Sequence, residues 1–395
     1  MDRRRKLRSC ALAFALIATM PPTPAAAEST WRLDARMPAD GPAELTAVDV
    51  VPAQTWVGGT QESPRTGKAE PIVGLWDGRT LARIPSPASD PARDVRLAGL
   101  AVVGDEVLAV ANSTNETGVT QPVIQRYSRI QLGQSDVLPT PAVEAYGELN
   151  AVVALPDRRA LTVGATGPDA ASTRSLILEQ NEDHDGWHRI PSASPGTGTN
   201  QLNAVTDSGW AAGHYTRPDE RGRSHPLVLH DEGGGAGWTQ VSVPDPGPEL
   251  TELTGIAVRA SGDVFVAGWT GSVDDPEHRS AVAMHWTRGT WEMLRPANLM
   301  MTQFNDVTAN SDGTVTFAGY TVIGVDEVVG LETWTGSQQL GAVPVVKPPT
   351  PPHSGSEYPA SGANAIDAGP AGSAPCAVGW LRQPGLAQGM IARPS

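Results

Sequence analysis

Three groups of residues have the types and spacing to do chemistry. Asp274, Asp275, Glu277 and His278 crowd one short stretch, and three carboxylates with an imidazole can ligate a divalent cation, just as they can form a solvated acidic loop. Asn181-Glu182-Asp183-His184-Asp185-Gly186 opens like a calcium loop, with oxygen donors at alternate positions and Gly sixth. The closing Glu is absent, because the twelfth position is Ser192, and Asp-Gly is also what a hairpin turn uses. The third group recurs along the chain: Glu44, Arg96, Glu148, Gln201, Glu252, Gln303 and Gly362, followed two positions on by Thr46, Ala98, Asn150, Asn203, Thr254, Asn305 and Asn364. Carboxylates and amides gathered around one mouth could hold a ligand or a cation. In a repeat they can equally pair with neighbouring units. Residues that break the pattern are the better site candidates, and these are Arg96 and Asp306.

The elements that must position these groups are written as a phrase repeated seven times. It reads Leu45-Thr46-Ala47-Val48, Leu97-Ala98-Gly99-Leu100, Leu149-Asn150-Ala151-Val152, Leu202-Asn203-Ala204-Val205, Leu253-Thr254-Gly255-Ile256, Phe304-Asn305-Asp306-Val307 and Ala363-Asn364-Ala365-Ile366. Successive copies are 52, 52, 53, 51, 51 and 59 residues apart. A period near fifty built of strand-like units predicts an all-β fold, a seven-bladed β-propeller of four-stranded antiparallel blades. A second strand follows each phrase and ends in Gly58, Gly164, Gly213, Gly268, Gly319 or Gly379, with Ala111 in the second repeat. The small third residue of the phrase suits inner strands that crowd an axis, where Asp306 is the exception. The seventh repeat stops after Arg393 without a fourth strand, and the segment from Trp31 to Pro38 resembles the missing piece. The N-terminal strand is therefore expected to complete the last blade and close the ring, which removes an open sheet edge.

Residues 1–27 read as a secretory signal: a basic start at Arg3, Arg4, Arg5, Lys6 and Arg8, a moderately apolar stretch, and Ala25-Ala26-Ala27 before Glu28. Arg4-Arg5-Lys6-Leu7 also resembles a twin-arginine signal, so two export routes stay open. The expectation is a secreted, extracellular monomer with residues 28–395 forming one propeller domain and no membrane span. Removing five basic residues and Asp2, a net of +4, takes the formal charge from −14 to −18. That acidity argues against nucleic acid as a partner. Cys10 lies in the signal, which leaves Cys376 alone and no intramolecular disulfide.

Trp56-Val57-Gly58-Gly59, then Leu75-Trp76-Asp77, then Ile84-Pro85 resembles a kelch repeat, with its double glycine, aromatic-Asp pair and later Pro. The other six repeats keep one Gly or an Ala. More broadly, the chain resembles the repeat-built secreted propellers of actinobacteria. The resemblance implies the fold and little of the function, since kelch-type rings include enzymes and binding scaffolds.

In such a meander the second-to-third loops and the blade-to-blade crossings share one face, and here that face carries the long loops. Function is expected there. No Gly-x-Ser-x-Gly elbow, phosphate loop, dinucleotide fingerprint or metalloprotease spacing assigns a catalytic residue, and no cofactor is evident beyond a divalent cation at carboxylates. Galactose-oxidase-type copper chemistry lacks its cysteine, because Cys376 falls at the apolar second-strand position of Phe317 and Val266. Two readings follow. One is a binding or scaffold protein that holds a glycan, peptide or protein on the loop-rich face. The other is a lyase or hydrolase using Glu44, Glu148 and Glu252 with a divalent cation.

Overall fold

A computed structural model describes residues 30–395, apart from 38, 88–91, 141–142, 193–197, 221, 234–236, 248, 276–277, 299, 324–325, 347–360, 372 and 384–385. The signal segment 1–27 lies outside the described residues. The chain forms seven antiparallel sheets set as blades around an axis. Their inner strands are Ala43–Val51, Asp94–Val103, Tyr146–Ala154, Asn200–Val205, Leu250–Val258, Met301–Ala309 and Ser361–Asp367, for blades 1 to 7 in order. Blades 1 to 6 run strand by strand from axis to rim, with four strands each. In blade 7 the fourth strand is Trp31–Arg36, paired antiparallel with Leu386–Pro394, so the N-terminal strand closes the ring. Val345–Val346, arriving from blade 6, adds a fifth strand parallel to it at Trp31 and Arg32. Arg393 Nε donates to Asp34 Oδ2 at 2.6 Å across the seam. No helix among the described residues is long and apolar enough to cross a membrane.

The core lies between blades. Side chains alternate along a strand, so a strand sandwiched by two neighbours is apolar on both faces. In Val264–Gly271, Phe265 and Ala267 pack against blade 6, while Val264 and Val266 pack against blade 4. Seven such apolar clusters fill the seven junctions, and that between blades 7 and 1 includes Cys376, Val378, Leu45 and Ile72. Cys376 pairs opposite Asp367, three residues before Gly379. It therefore matches Phe265 and Thr316, one place earlier than the run of apolar residues suggests. Burial pushes its thiol above the usual range, which leaves it inert.

The repeated phrase has a geometric cause. Every inner strand carries a β-bulge at the second position of the phrase: Thr46, Ala98, Asn150, Asn203, Thr254, Asn305 and Asn364 each fall where the register shifts. A bulge turns the extra residue out of the ladder and brings the preceding carbonyl towards the second strand. A Cβ on Gly164, Gly213, Gly268 or Gly319 would come 2.0 Å from that carbonyl oxygen, so only glycine fits. In blade 1 the glycine that meets this demand is Gly59, opposite Leu45, and not Gly58. Gly58 makes room instead for Leu97 of blade 2, so the double glycine does two separate jobs.

Candidate functional site

The inner edge of each inner strand points at the axis, where its backbone groups have no ladder partner. Side chains supply one. Thr46 donates to Leu97 O, Asn150 to Leu202 O, Asn203 to Leu253 O, Thr254 to Phe304 O, Asn305 to Ala363 O and Asn364 to Leu45 O, all at 2.8–2.9 Å. Six of the seven bulge residues thus cap the carbonyl of the first phrase residue on the next blade, and the chain of bonds passes through the closure from blade 7 to blade 1. Blade 2 has Ala98 at this position and cannot donate. There Asn112, from the second strand, donates to Leu149 O at 2.9 Å and accepts from Leu149 N at 2.8 Å. The structure places Asn150, Asn203 and Asn305 in this ring, with their amide N–H groups engaged.

A second set of contacts lies deeper, at blades 6, 7, 1 and 2. Asp306 accepts from Ile366 N of blade 7 at 2.9 Å and from Val307 N at 2.8 Å. Asp367 accepts from Val50 N of blade 1, and Asp49 from Val102 N of blade 2, each at 2.6 Å. Burial first, then the charge of Asp367, pushes the Asp306 carboxyl up to about 7. Asp49 and Asp367 are pushed up as well, by burial foremost, and Asp49 also by Asp367. Asp306, which breaks the repeat, thus belongs to this group of carboxylates bridging blades.

The residues preceding the phrase stand at the mouth, and they differ in how they are engaged. Glu44 is exposed and accepts from Asn364 Nδ2 at 2.7 Å. Arg96 is exposed, and among the described residues no carboxylate pairs with it. Half-buried Glu148 accepts from Tyr146 Oη at 2.6 Å, and burial together with that carboxylate pushes the phenol above its usual range. Gln303 accepts from Arg279 Nη1 at 2.7 Å and donates to Asn305 Oδ1. Gln201 and Glu252 are half-buried on blades 4 and 5. The seven positions ring one mouth, and Glu44 and Arg96, on adjacent blades, line one cleft. It measures about 210 Å3 and is lined also by Thr60, Asp94, Trp380 and Ala387. Asp94 is held there by Ala69 N at 2.9 Å and by Lys68 Nζ at 3.7 Å.

Sequence reasoning missed the residue opposite each of these, on the second strand: Thr60, Asn112, Ala165, His214, Trp269, Tyr320 and Trp380. Their signal was available, because they follow the second-strand glycine and change type in nearly every repeat. Arg279 lies over the Trp269 ring, 3.9 Å from its centroid, and among the described residues His214 Nδ1 is buried without a hydrogen-bond partner. Also missed was His225, whose Nδ1 lies 2.8 Å from Asp245 Oδ2 and whose Nε2 contacts Glu220 Oε2. With Arg217, 3.2 Å from Glu220, and Arg223, 3.6 Å from Asp245, it ties the loop after Trp210–Thr216 to the blade 4–5 crossing. The hydrogen bond from His225 holds Glu220 below the usual carboxylate range.

The acidic loop is open. Asp275 Oδ2 lies 2.6 Å from His278 Nδ1 with both side chains mostly exposed, and Glu277 lies outside the described residues. The stretch Asn181–Gly186 forms a third-to-fourth turn closed by Asn181 N to Gly186 O at 2.8 Å. Among the described residues no three His, Cys, Asp or Glu side chains gather in a way that could hold a metal ion.

No family model and no curated protein matches the chain. Solved structures do match its fold. The structure of YCF48 bound to D1 peptide superposes with a TM-score of 0.54 at 14% identity, over 93% of this chain and 96% of that one. The β-propeller domain of the Trilobed protease from Pyrococcus furiosus, described as having an open velcro topology, gives 0.52 at 10% identity, over 89% and 93%. A Mycobacterium tuberculosis puromycin-hydrolyzing peptidase gives 0.52 at 14% identity, with 92% of this chain spanning 54% of that protein. At these identities the likeness shows the propeller fold alone.

Proposed function

We propose that this is a secreted binding propeller that holds an extended peptide segment on its loop-rich face, in the cleft that blade 1 forms with its neighbours, blades 7 and 2. One observation carries the reading. The inner-strand amides are consumed by the ring, whereas Glu44 and Arg96 stay exposed at equivalent positions on adjacent blades, across one cleft. A carboxylate beside a guanidinium, above a rigid floor, suits a ligand that carries both charges along its length, as a peptide does. Support for the ligand class comes also from a propeller of the same fold solved with a peptide bound. The kelch-like character of blade 1 belongs to this proposal too, supported by the separate duties of Gly58 and Gly59. The test is a random-peptide display selection on the immobilised protein. Enriched peptides are expected to lose at least about tenfold in affinity for Arg96→Ala and Glu44→Ala, equivalent to roughly 1.4 kcal/mol, and nothing for Asp275→Ala. Failure to enrich any peptide, or equal binding by all three variants, would sink the proposal. Secretion is checked by N-terminal sequencing of the exported protein, which is expected to begin at Glu28.

A further inference from the structure

We propose that Asp306, Asp367 and Asp49 form a proton-dependent seam that holds the ring closure tightest in acid and loosens it in alkali. The three carboxylates sit on consecutive inner strands, blades 6, 7 and 1, and each accepts from a backbone N–H of the following blade: Ile366, Val50 and Val102. They therefore bridge three successive junctions. Two of these flank blade 7, the blade assembled from both ends of the chain. Asp49 and Asp367 hold the fifth position of the phrase, which is Ala101, Val153, Thr206, Ala257 and Thr308 in blades 2 to 6, and Asp306 holds the third, which is Ala or Gly in every other blade. Away from those three junctions a neutral group does the bridging between blades 2 and 3, where Asn112 Oδ1 accepts from Leu149 N at 2.8 Å, and at the blade 6–7 junction Thr308 Oγ1 adds a neutral acceptor for Ala368 N at 3.1 Å.

The surroundings decide how the trio responds to protons. Among the described groups that face it, Arg129 is the cation acting on Asp49, and it is itself bound to Gly104 O and Gln54 Oε1. The Cys376 thiol faces Asp367, with Asp34 and Arg393 beyond it paired to each other. One cation near three carboxylates leaves like charges uncompensated across the seam when all are ionised. Burial acts in the same direction, so the folded carboxyls bind protons more tightly than unfolded ones, whose value is 3.8, and Asp306 rises to about 7. A raised carboxyl pKa contributes stability that is complete below the unfolded value and is lost as the pH climbs through the folded one. The window runs from 3.8 to about 7.

The experiment is a thermal melt of the whole chain at about pH 5 and at about pH 8, for the unmodified protein, Asp49→Asn and Asp306→Asn. Asn keeps an acceptor for the backbone N–H and cannot ionise. Other groups are shifted by burial too, Glu332 upward and His285 downward. The decisive quantity is therefore the gap between the unmodified protein and each variant. The expected result is a Tm advantage for the unmodified protein near pH 5 that shrinks or inverts near pH 8. Hydrogen exchange supplies a local readout on the unmodified protein, independent of whether a variant folds. After correction for intrinsic rates, the amides of Val50, Val102 and Ile366 should lose protection from acid to alkali, while that of Leu149, bound to neutral Asn112, should not. A gap that stays constant with pH, or protection at Val50, Val102 and Ile366 that tracks Leu149, would overturn the proposal.

Discussion

Single residues in this protein are explained by which orphan group they satisfy. The bulged Asn or Thr of each phrase caps a carbonyl on the next blade, and the glycine opposite it makes way for the carbonyl that the bulge displaces. Gly213 shows the constraint, since an added Cβ would lie 2.0 Å from Gln201 O and 2.8 Å from Leu202 Cα, both backbone atoms that cannot swing aside. Gly213→Ala is expected to lower the unfolding free energy by about 1–3 kcal/mol, as overpacking does, measured by urea titration. A change within error would mean that the bulge can move. Blade 2 is the informative exception. It lacks both the donor and the glycine, with Ala98 and Ala111 in their places, and Asn112 restores the bridge from a neighbouring strand. The seam carboxylates belong to the same logic, with acceptors in place of donors.

Strands and loops divide the labour. The strands carry near-continuous apolar runs because both of their faces are buried between blades, and the loops of one face carry the polar variety. One of those loops is pinned by chemistry that its sequence barely advertises. His225 stands between Asp245 and Glu220, and it stacks on Tyr215 with ring centroids 5.1 Å apart. His225→Ala removes the group that separates two carboxylates. The expected outcome is faster proteolytic cleavage within residues 217–223 while the melting temperature changes little, since the blade core is untouched. Unchanged cleavage would show that the arginines alone hold the loop.

At the scale of the whole molecule, the ring is held shut by a strand from the other end of the chain. Trp31 is buried in the cluster between blades 6 and 7, and its strand pairs on one side with Leu386–Pro394 and on the other with Val345–Val346. Deleting residues 28–36 is expected to destabilise the protein by more than the roughly 3–5 kcal/mol typical of losing one buried aromatic side chain. It also bares an unpaired strand edge, so size-exclusion chromatography should show association. A monomer with an unchanged Tm would disprove the latch. The fold, the blade count and this closure were all legible in the sequence, because a period near fifty and an alternation of two are local patterns that survive without coordinates. The site was legible only in part. Glu44 and Arg96 are equivalent repeat positions, but nothing in their spacing says that they share a cleft. Asp306 is visible as a departure from the repeat, yet its company is not. Asp367 and Asp49 lie 61 residues ahead of it and 257 behind it in the sequence, and only ring closure brings blade 7 between blades 6 and 1. The sequence by itself determined the repeat, and with it the architecture. Tertiary structure decided which polar side chains meet, because their neighbours belong to other repeats and their charges depend on burial that no local pattern encodes.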